Sequence, residues 1–230
     1  MTKTIYLDPG HGGLDAGAVN GRRYEKNDNL KLAKAVKDKL VVQGHIVLMT
    51  REEDTYPTLA ARIAAATAAK ADIFVSLHRN SHTTATANGF EIHVRERKYN
   101  EAAISVHDAI MSVCGMRDRG VIIGKQFEVL YNAPMPAMLV ETGFISNTAD
   151  NELFDARFDK IAEAMAKGIL AALDESWKES GKDPDTETKP LYRVQVGAFG
   201  VKENADNFLK TVQNMGLSAF IVTIEPPKGE

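Results

Sequence analysis

The first 175 residues alternate between short strand-like runs and segments with helical periodicity, and this alternation limits the folds available to the chain. Strand-like runs lie at residues 5–7, 45–50, 72–78, 90–94, 127–130 and 137–140, and helical segments at 30–40, 58–70, 101–113 and 158–177. Residues 73–75 are apolar on both faces, which is typical of a central strand. The pattern predicts an α/β fold, with a mostly parallel twisted sheet and helices on both faces.

The composition changes after Trp177. The following segment is polar, contains two prolines and lacks large apolar side chains, as linkers do. Beyond it, period-two alternation at 192–196, helical spacing over 204–215 and an apolar run at 219–222 predict a small C-terminal β-α-β unit. The predicted parts are a large domain over 1–177, a linker over 178–190 and a C-terminal module over 191–230.

Charge and composition exclude several classes of partner. The net charge is −3, with both signs spread along the chain, so we expect no nucleic-acid binding. No apolar run approaches the roughly 20 residues of a membrane helix, so we expect no membrane insertion. Cys114 is the only cysteine, which excludes an internal disulfide and a thiolate-rich zinc site. The first residues lack a basic segment followed by an apolar stretch, so we expect synthesis in the cytoplasm without a signal peptide.

Side chains that can bind a metal or transfer protons follow several predicted strands. His11 follows the first strand, His78 ends the central strand and Glu141 ends the last, while Glu25 opens the first amphipathic helix. Active sites of α/β sheets lie at the carboxyl ends of strands. Two imidazoles and one carboxylate form the ligand set of a catalytic zinc site that keeps a position for water. A further carboxylate can then act as the general base.

Taken singly, each of these residues also fits an ordinary structural role. His11 fits a turn in a glycine-rich loop, His78 a hydrogen-bonded histidine at a strand end, and Glu25 a first-turn helix acid. Glu141 fits an ion pair with Arg51. The combination is far more specific than its members. The other histidines lack such context and are expected at ordinary surface or strand positions: His45, His82, His93 and His107.

As a set, these motifs resemble the zinc-dependent N-acetylmuramoyl-L-alanine amidases of bacterial cell-wall lysis. The resembling segments follow the family's order over about residues 4–174: Asp8-Pro9-Gly10-His11-Gly12-Gly13, Glu25 before a helix, Thr50-Arg51 with Asp54, Leu59 to Arg62, Ser76-Leu77-His78-Arg79-Asn80, Gly89-Phe90-Glu91, and Val140 to Asn147. The resemblance implies one Zn²⁺ per chain bound by His11, Glu25 and His78, with Glu141 as the catalytic acid-base.

Three further residues follow from the same motifs. Asn80 is a candidate substrate or supporting contact, and Arg51 is a second, less direct candidate for binding substrate. Arg79 departs from the family, which usually has a small residue before this asparagine. We expect a long cation at the metal rim that alters substrate contacts without removing a ligand.

The start of the C-terminal module, Tyr192-Arg193-Val194-Gln195-Val196-Gly197-Ala198-Phe199, resembles the opening of a SPOR domain. That family binds glycan strands stripped of their stem peptides. A complete domain is about twice as long and contains two packed β-α-β halves, so one half is expected here. The half is either a vestigial module without binding activity or the site of a homodimer through residues 191–225, in which a second copy supplies the missing half.

The resemblance implies hydrolysis of the amide bond between N-acetylmuramic acid and L-alanine in peptidoglycan. A zinc peptidase that cuts within the stem peptides is one alternative, and a non-catalytic wall-binding protein is another. A wall hydrolase made in the cytoplasm acts after release by lysis or through a holin. The sequence is consistent with a phage endolysin and with a lysin of the mother cell during sporulation.

Overall fold

The computed structural model describes residues 1–124, 127–179, 197 and 199–214. Its contacts divide the chain into two units, Met1–Ser180 and Gly181–Glu230. Within the described part of the chain, no helix is both long enough and apolar enough to cross a membrane.

The secondary structure of the first unit alternates as the sequence predicts. The strands are β1 (Thr4–Pro9), β2 (Val19–Asn20), β3 (Arg23–Tyr24), β4 (Ile46–Met49), β5 (Ile73–Asn80), β6 (Phe90–Val94), β7 (Asp118–Ile123) and β8 (Ala137–Phe144). The helices are α1 (Glu25–Val42), α2 (Leu59–Ala68), α3 (Asn100–Cys114), α4 (Glu128–Tyr131), α5 (Thr148–Ala156) and α6 (Phe158–Ala172).

One sheet carries six of these strands in the order β4-β1-β5-β8-β6-β7, and β2 and β3 form a separate antiparallel ribbon. Neighbouring strands of the sheet are parallel except at β6 and β8, which are antiparallel. The loop from 81 to 89 that joins β5 to β6 contains no helix, and a parallel crossover needs about a dozen residues or more. The predicted α/β fold is confirmed, with one antiparallel junction that the strand pattern did not indicate.

Helices cover both faces of the sheet, because adjacent residues of each strand point to opposite sides. Ile5 and Leu7 of β1 pack in the larger core with α1, α3 and α6. Tyr6, between them, packs in a smaller core with α2 and the segment around α4. All eight residues of β8 are buried. Cys114 is buried at the end of α3, as its apolar surroundings predict.

Several predicted elements differ from the structure. The run at 127–130, predicted as a strand, contains the start of helix α4, and this prediction was wrong because short apolar runs fit both periods. The prediction also missed β7, the β2–β3 ribbon and α5. A signal for α5 exists, since the Asn147 side chain caps it by accepting from the Asp150 backbone N–H.

The described part of the second unit contains α7 (Lys202–Asn214), where the sequence predicts a helix at 204–215. Within this unit, the Phe199 and Phe208 rings lie with centroids 5.3 Å apart. The strands predicted at 192–196 and 219–222 lie outside the described residues.

Close packing of α3 on α6 depends on Gly168. A Cβ atom at this position would lie 2.6 Å from the Val106 Cα atom and 2.9 Å from the Ser105 carbonyl oxygen. These are backbone atoms of the neighbouring helix, so they cannot move aside as a flexible side chain would. The glycine therefore sets how closely the two helices approach.

We expect Gly168→Ala to lower the free energy of unfolding by about 1–3 kcal/mol, because the added methyl group forces the helices apart. At a helical site with free space, the same change stabilises a protein by up to about 1 kcal/mol. Whether the substitution destabilises or stabilises the protein therefore tests the close approach of the two helices. Denaturant titration followed by circular dichroism measures it, and a stabilised variant would contradict the close approach.

Candidate metal centre

The three predicted metal ligands lie together at the carboxyl edge of the parallel strands. One ligand atom from each of His11, Glu25 and His78 falls within 4.8 Å of the others. Glu25 Oε1 lies 3.2 Å from His11 Nε2 and 2.9 Å from His78 Nδ1. The two imidazole rings are nearly perpendicular, at 79°, with centroids 4.9 Å apart. Two imidazole nitrogens and one carboxylate fit the donor set of a catalytic zinc site.

Two buried arginines hold the loop that carries His11. Arg51 donates through Nε to the Pro9 carbonyl and through Nη2 to the Gly10 carbonyl, each at 2.9 Å. Arg62 Nη2 donates to the His11 carbonyl at 2.9 Å. His11 itself has a φ of 62°, in the left-handed region that non-glycine residues rarely occupy. The guanidinium groups stabilise this unusual backbone by binding the carbonyl oxygens on either side of the bend.

The charge of Arg62 is balanced by Asp8 at the end of β1. Arg62 Nη1 donates to Asp8 Oδ1 at 2.7 Å, and both side chains are almost completely buried. The hydroxyl groups of Thr50 and Ser76 also donate to this carboxylate, each at 2.7 Å. A buried ion pair is stable only when its remaining polar atoms are bonded in this way.

Asp15 orients the His11 ring. Its Oδ2 lies 2.9 Å from His11 Nδ1, so the other ring nitrogen, Nε2, is directed to Glu25. Burial opposes the charged imidazole, but Glu25 and Asp15 outweigh burial and raise the pKa of His11 to about 9. A carboxylate on the outer nitrogen of a histidine is the usual support of a metal ligand. Sequence reasoning missed this residue, although it lies in the same loop.

Both oxygens of Glu25 are held by backbone N–H groups. Glu25 Oε2 accepts from Ala18 at 2.8 Å, and Oε1 accepts from Arg79 at 3.1 Å. Burial raises the pKa of this carboxyl, but hydrogen bonds and charge interactions with the two histidines outweigh burial and lower it. Glu25 is therefore an ionised carboxylate at the start of α1, where the helix dipole also favours negative charge.

Two glycines provide the space that the ligands occupy. A Cβ atom at Gly10 would lie 2.2 Å from His78 Cε1 and 2.3 Å from its Nε2. At Gly17, which has a φ of 64°, a Cβ atom would lie 2.6 Å from His11 Cδ2 and 2.7 Å from Glu25 Oε2. No other residue type fits at either position without displacing a ligand.

Glu141 lies on β8 directly beside His78 of β5 in the parallel register. Residues paired across neighbouring strands project to the same face, so the carboxylate shares the face of the metal ligands. Glu141 is buried and lines the same cavity as the three ligands, with a volume of about 420 Å³. Apolar side chains complete much of its lining: Tyr56, Leu59, Phe127, Val129 and Leu139.

The two candidate substrate contacts differ in position. Asn80 lines the cavity and is half-buried. Arg51 is 4% exposed and does not line the cavity, and its guanidinium also donates to the Lys26 carbonyl at 2.8 Å. These contacts support a role for Arg51 in holding the loop rather than in binding substrate.

The expectation that Arg79 extends over the metal rim was wrong. Its side chain is buried on the other side of β5, because it alternates with His78 and Asn80 along the strand. Its guanidinium donates to Asp28 and to the Asn151 side chain, each at 2.6 Å. Burial lowers the pKa of Arg79 to about 10. Only the backbone N–H group of Arg79, which donates a hydrogen bond to Glu25, supports the candidate metal centre.

The histidines left without a role include two that are buried. His93 lies on β6, fully buried, with Nε2 2.9 Å from Glu91 Oε1. His107 lies on α3, with Nε2 2.9 Å from Asp118 Oδ1. His107 is therefore neither a surface nor a strand residue, and sequence periodicity gave no indication of either pairing.

A family model described as N-acetylmuramoyl-L-alanine amidase matches residues 5–171. A model of the SPOR domain matches residues 163–223. The second match begins inside α6, which packs against α1 and α3 in the first unit. The remainder of that match lies largely in the second unit.

Two of the relatives match along nearly the whole chain. An endolysin of Bacillus phage SPP1 is 34% identical over 98% of this chain and 86% of its own length. A sporulation-specific N-acetylmuramoyl-L-alanine amidase of Bacillus subtilis (strain 168) is 32% identical over 95% of this chain and 84% of its own. The chain spans only 35% of a longer relative, the amidase LytC of Bacillus subtilis (strain 168).

Solved structures show the same fold. The catalytic domain of CwlV, an N-acetylmuramoyl-L-alanine amidase from Bacillus (Paenibacillus) polymyxa var. colistinus, superposes with a TM-score of 0.72 at 35% identity. The match covers 75% of this chain and 99% of that domain. These findings confirm the resemblance seen in the motifs, and the chain belongs to the N-acetylmuramoyl-L-alanine amidase family.

Proposed function

We propose that this chain is a zinc-dependent amidase that hydrolyses the bond between N-acetylmuramic acid and L-alanine in peptidoglycan. The observation that carries the proposal is the position of Glu141, which lies beside two histidines and a carboxylate in one cavity. Membership of the family supports the choice of substrate.

One Zn²⁺ per chain would be held by His11, Glu25 and His78. His11 donates a hydrogen bond from Nδ1–H to Asp15, which leaves Nε2 as the nitrogen whose electron pair would bind the ion once its proton is displaced. When bound, the ion supplies Lewis-acid polarisation of the substrate carbonyl and of a water molecule.

Glu141 would move the proton. Its carboxylate takes a proton from the attacking water and transfers it to the nitrogen of the departing L-alanine, so that the amine leaves uncharged. Apolar side chains, including Phe127 and Val129, line part of the cavity in which this transfer would take place. Asn80 is placed to contact the substrate from the same face.

The alternative activity, a zinc peptidase, would use the same ligands but leave a different product. An amidase releases stem peptides with a free L-alanine amine, whereas a peptidase leaves L-alanine attached to the glycan. Mass spectrometry of digested peptidoglycan, with and without a chelator, distinguishes the two. A wall-binding protein without activity would give neither product.

We further propose that the chain acts on the cell wall during lysis, after release from the cell that makes it. The endolysin of phage SPP1 and the sporulation-specific amidase, both similar over nearly the whole chain, support a lytic role. The protein would then be either a phage endolysin or a lysin of the mother cell during sporulation.

We expect Gly10→Ala to weaken zinc binding, because its Cβ atom would occupy the position of the His78 ring. The fold should persist, since the substitution removes no apolar side chain from the core. Gly200→Ala is the control: it changes a glycine of the second unit whose φ is not positive and whose Cβ atom would meet nothing within 4 Å. Titration with zinc and a competing chelator measures the affinity, and equal affinities of the two variants would contradict the proposed ligand geometry.

Glu141→Gln should retain zinc and lose about 10²- to 10⁴-fold in turnover, because the amide keeps the shape of the side chain but cannot accept the proton. His78→Ala should instead lose both zinc and activity. Elemental analysis and release of free L-alanine amines from peptidoglycan report the two properties. Near-normal turnover by zinc-loaded Glu141→Gln would refute the role of this carboxylate.

The C-terminal module is proposed to pair with a second copy through residues 191–225. The predicted β-α-β unit would leave sheet edges open, and in α7 the Phe208 side chain is 36% exposed. Light scattering should give a dimer for the full chain and a monomer for a version that ends at Ser180. If both were monomers at tens of micromolar and bound purified glycan equally, the pairing would be wrong.

A further inference from the structure

The Glu91 side chain projects to the same face of the sheet as the candidate site, although the sequence motifs predicted no function for it. On β6 it lies directly opposite Glu141 of β8 in the antiparallel register, and Glu141 lies beside His78 of β5. Side chains of directly opposed residues point to the same face of a sheet. His78, Glu141 and Glu91 therefore form a row across three neighbouring strands.

Among the described residues, three donors converge on the Glu91 carboxylate, which is 1% exposed. Its Oε1 accepts from Asn80 Nδ2 at 2.9 Å and lies 2.9 Å from His93 Nε2, while Oε2 accepts from Arg119 Nε. Burial raises the pKa of this carboxyl, but the bonds from His93 and Arg119 outweigh burial and lower it to about 2. Glu91 is thus ionised and can only accept hydrogen bonds.

The donor that joins this carboxylate to the cleft is Asn80. The amide donates through Nδ2 to Glu91, and its Oδ1 accepts from the Ser81 backbone N–H at 2.8 Å. An asparagine amide keeps nearly the same shape when it is rotated by 180°, so sterics alone do not select its orientation. An acceptor on one side and a backbone donor on the other select one orientation.

The arrangement also requires that the charge of Glu91 be balanced. Like charges directly opposite each other on neighbouring strands are destabilising, and Glu91 faces Glu141. Arg119 supplies the compensating charge, and its guanidinium carbon lies 5.0 Å from the centroid of the Phe144 ring. Glu91 itself does not line the cavity, so any effect on substrate must pass through a neighbour that does.

We propose that Glu91 is a positioning residue, which holds the Asn80 amide in one orientation toward the substrate beside Glu141. The inference rests on the amide hydrolysis proposed above. By holding Asn80, Glu91 determines how the oxygen and the NH₂ group of that amide are directed in the cavity beside Glu141. Arg119 and His93 keep Glu91 in place and ionised.

The change Glu91→Gln removes this selection while keeping the size of the side chain. Glutamine has one acceptor oxygen for the three donors on Asn80, His93 and Arg119. The charged Arg119 guanidinium is the strongest of these donors and takes the oxygen. The NH₂ group then faces Asn80 Nδ2, so the Asn80 amide loses its acceptor and can rotate. The substitution should therefore lower turnover without removing any metal ligand.

A double-mutant cycle tests the proposal on the zinc-loaded full chain with purified peptidoglycan as substrate. Glu91→Gln and Asn80→Ala should each lower kcat by about tenfold or more, as small misplacements in active sites do. In the Asn80→Ala background, Glu91→Gln should add no further loss, because residues that act through one another are not additive. Zinc content should stay at one per chain, and the control Glu96→Gln, on an exposed side chain after β6, should keep full activity.

The same cycle can overturn the proposal. Wild-type kcat in Glu91→Gln or in Asn80→Ala, or losses that multiply in the double variant, would show that Glu91 does not act through Asn80. If Glu91→Gln fails to fold, Arg119→Gln replaces it in the cycle and should show the same dependence on Asn80. Wild-type release of stem peptides with a free L-alanine amine tests the proposed function separately, so its failure cannot be mistaken for failure of this inference.

Discussion

Two buried arginines bind the backbone of the loop after β1, and the geometry of the candidate metal centre depends on this contact. Arg51 and Arg62 make four hydrogen bonds to the carbonyls of residues 9–11. A left-handed backbone at a non-glycine residue costs about 1–2 kcal/mol, so His11 would not keep its φ in a loop without support. Asp8 balances Arg62 at the end of the same strand, which connects the loop to the sheet.

The remaining ligands are held mainly by backbone groups rather than by long side chains. Backbone N–H groups bind both oxygens of Glu25, and glycines leave the space for the rings. A backbone N–H group has fewer rotatable bonds than a long side chain, so these contacts hold the candidate ligands more rigidly. The ligand atoms are already within 4.8 Å of one another, so zinc binding would need little reorganisation of the chain.

Local patterns indicated the fold class, and the resemblance to the amidases selected His11, Glu25, His78 and Glu141, which the structure brings into one cavity. Apolar periodicity locates strands, and the carboxyl-end rule applies directly to His11, His78 and Glu141. Contacts between distant segments were not visible in this way. The burial of the Arg79 side chain depends on the face of the sheet to which it projects. The contact of Arg51 with the loop depends on which distant segment packs against it. Such contacts belong to the tertiary structure and leave no periodic signal.

The position of Glu91 has a topological cause. Because the connection from β5 is too short for a parallel crossover, β6 runs opposite to β8. Because β6 runs opposite to β5 and β8, its first residues lie at the edge of the sheet where those two strands end. Glu91, the second residue of β6, therefore reaches the edge that holds the site. A parallel β6 would have placed the other end of the strand at this edge. The carboxyl-end rule therefore does not apply to β6, whose amino end brings the charged network around Glu91 to this edge of the sheet.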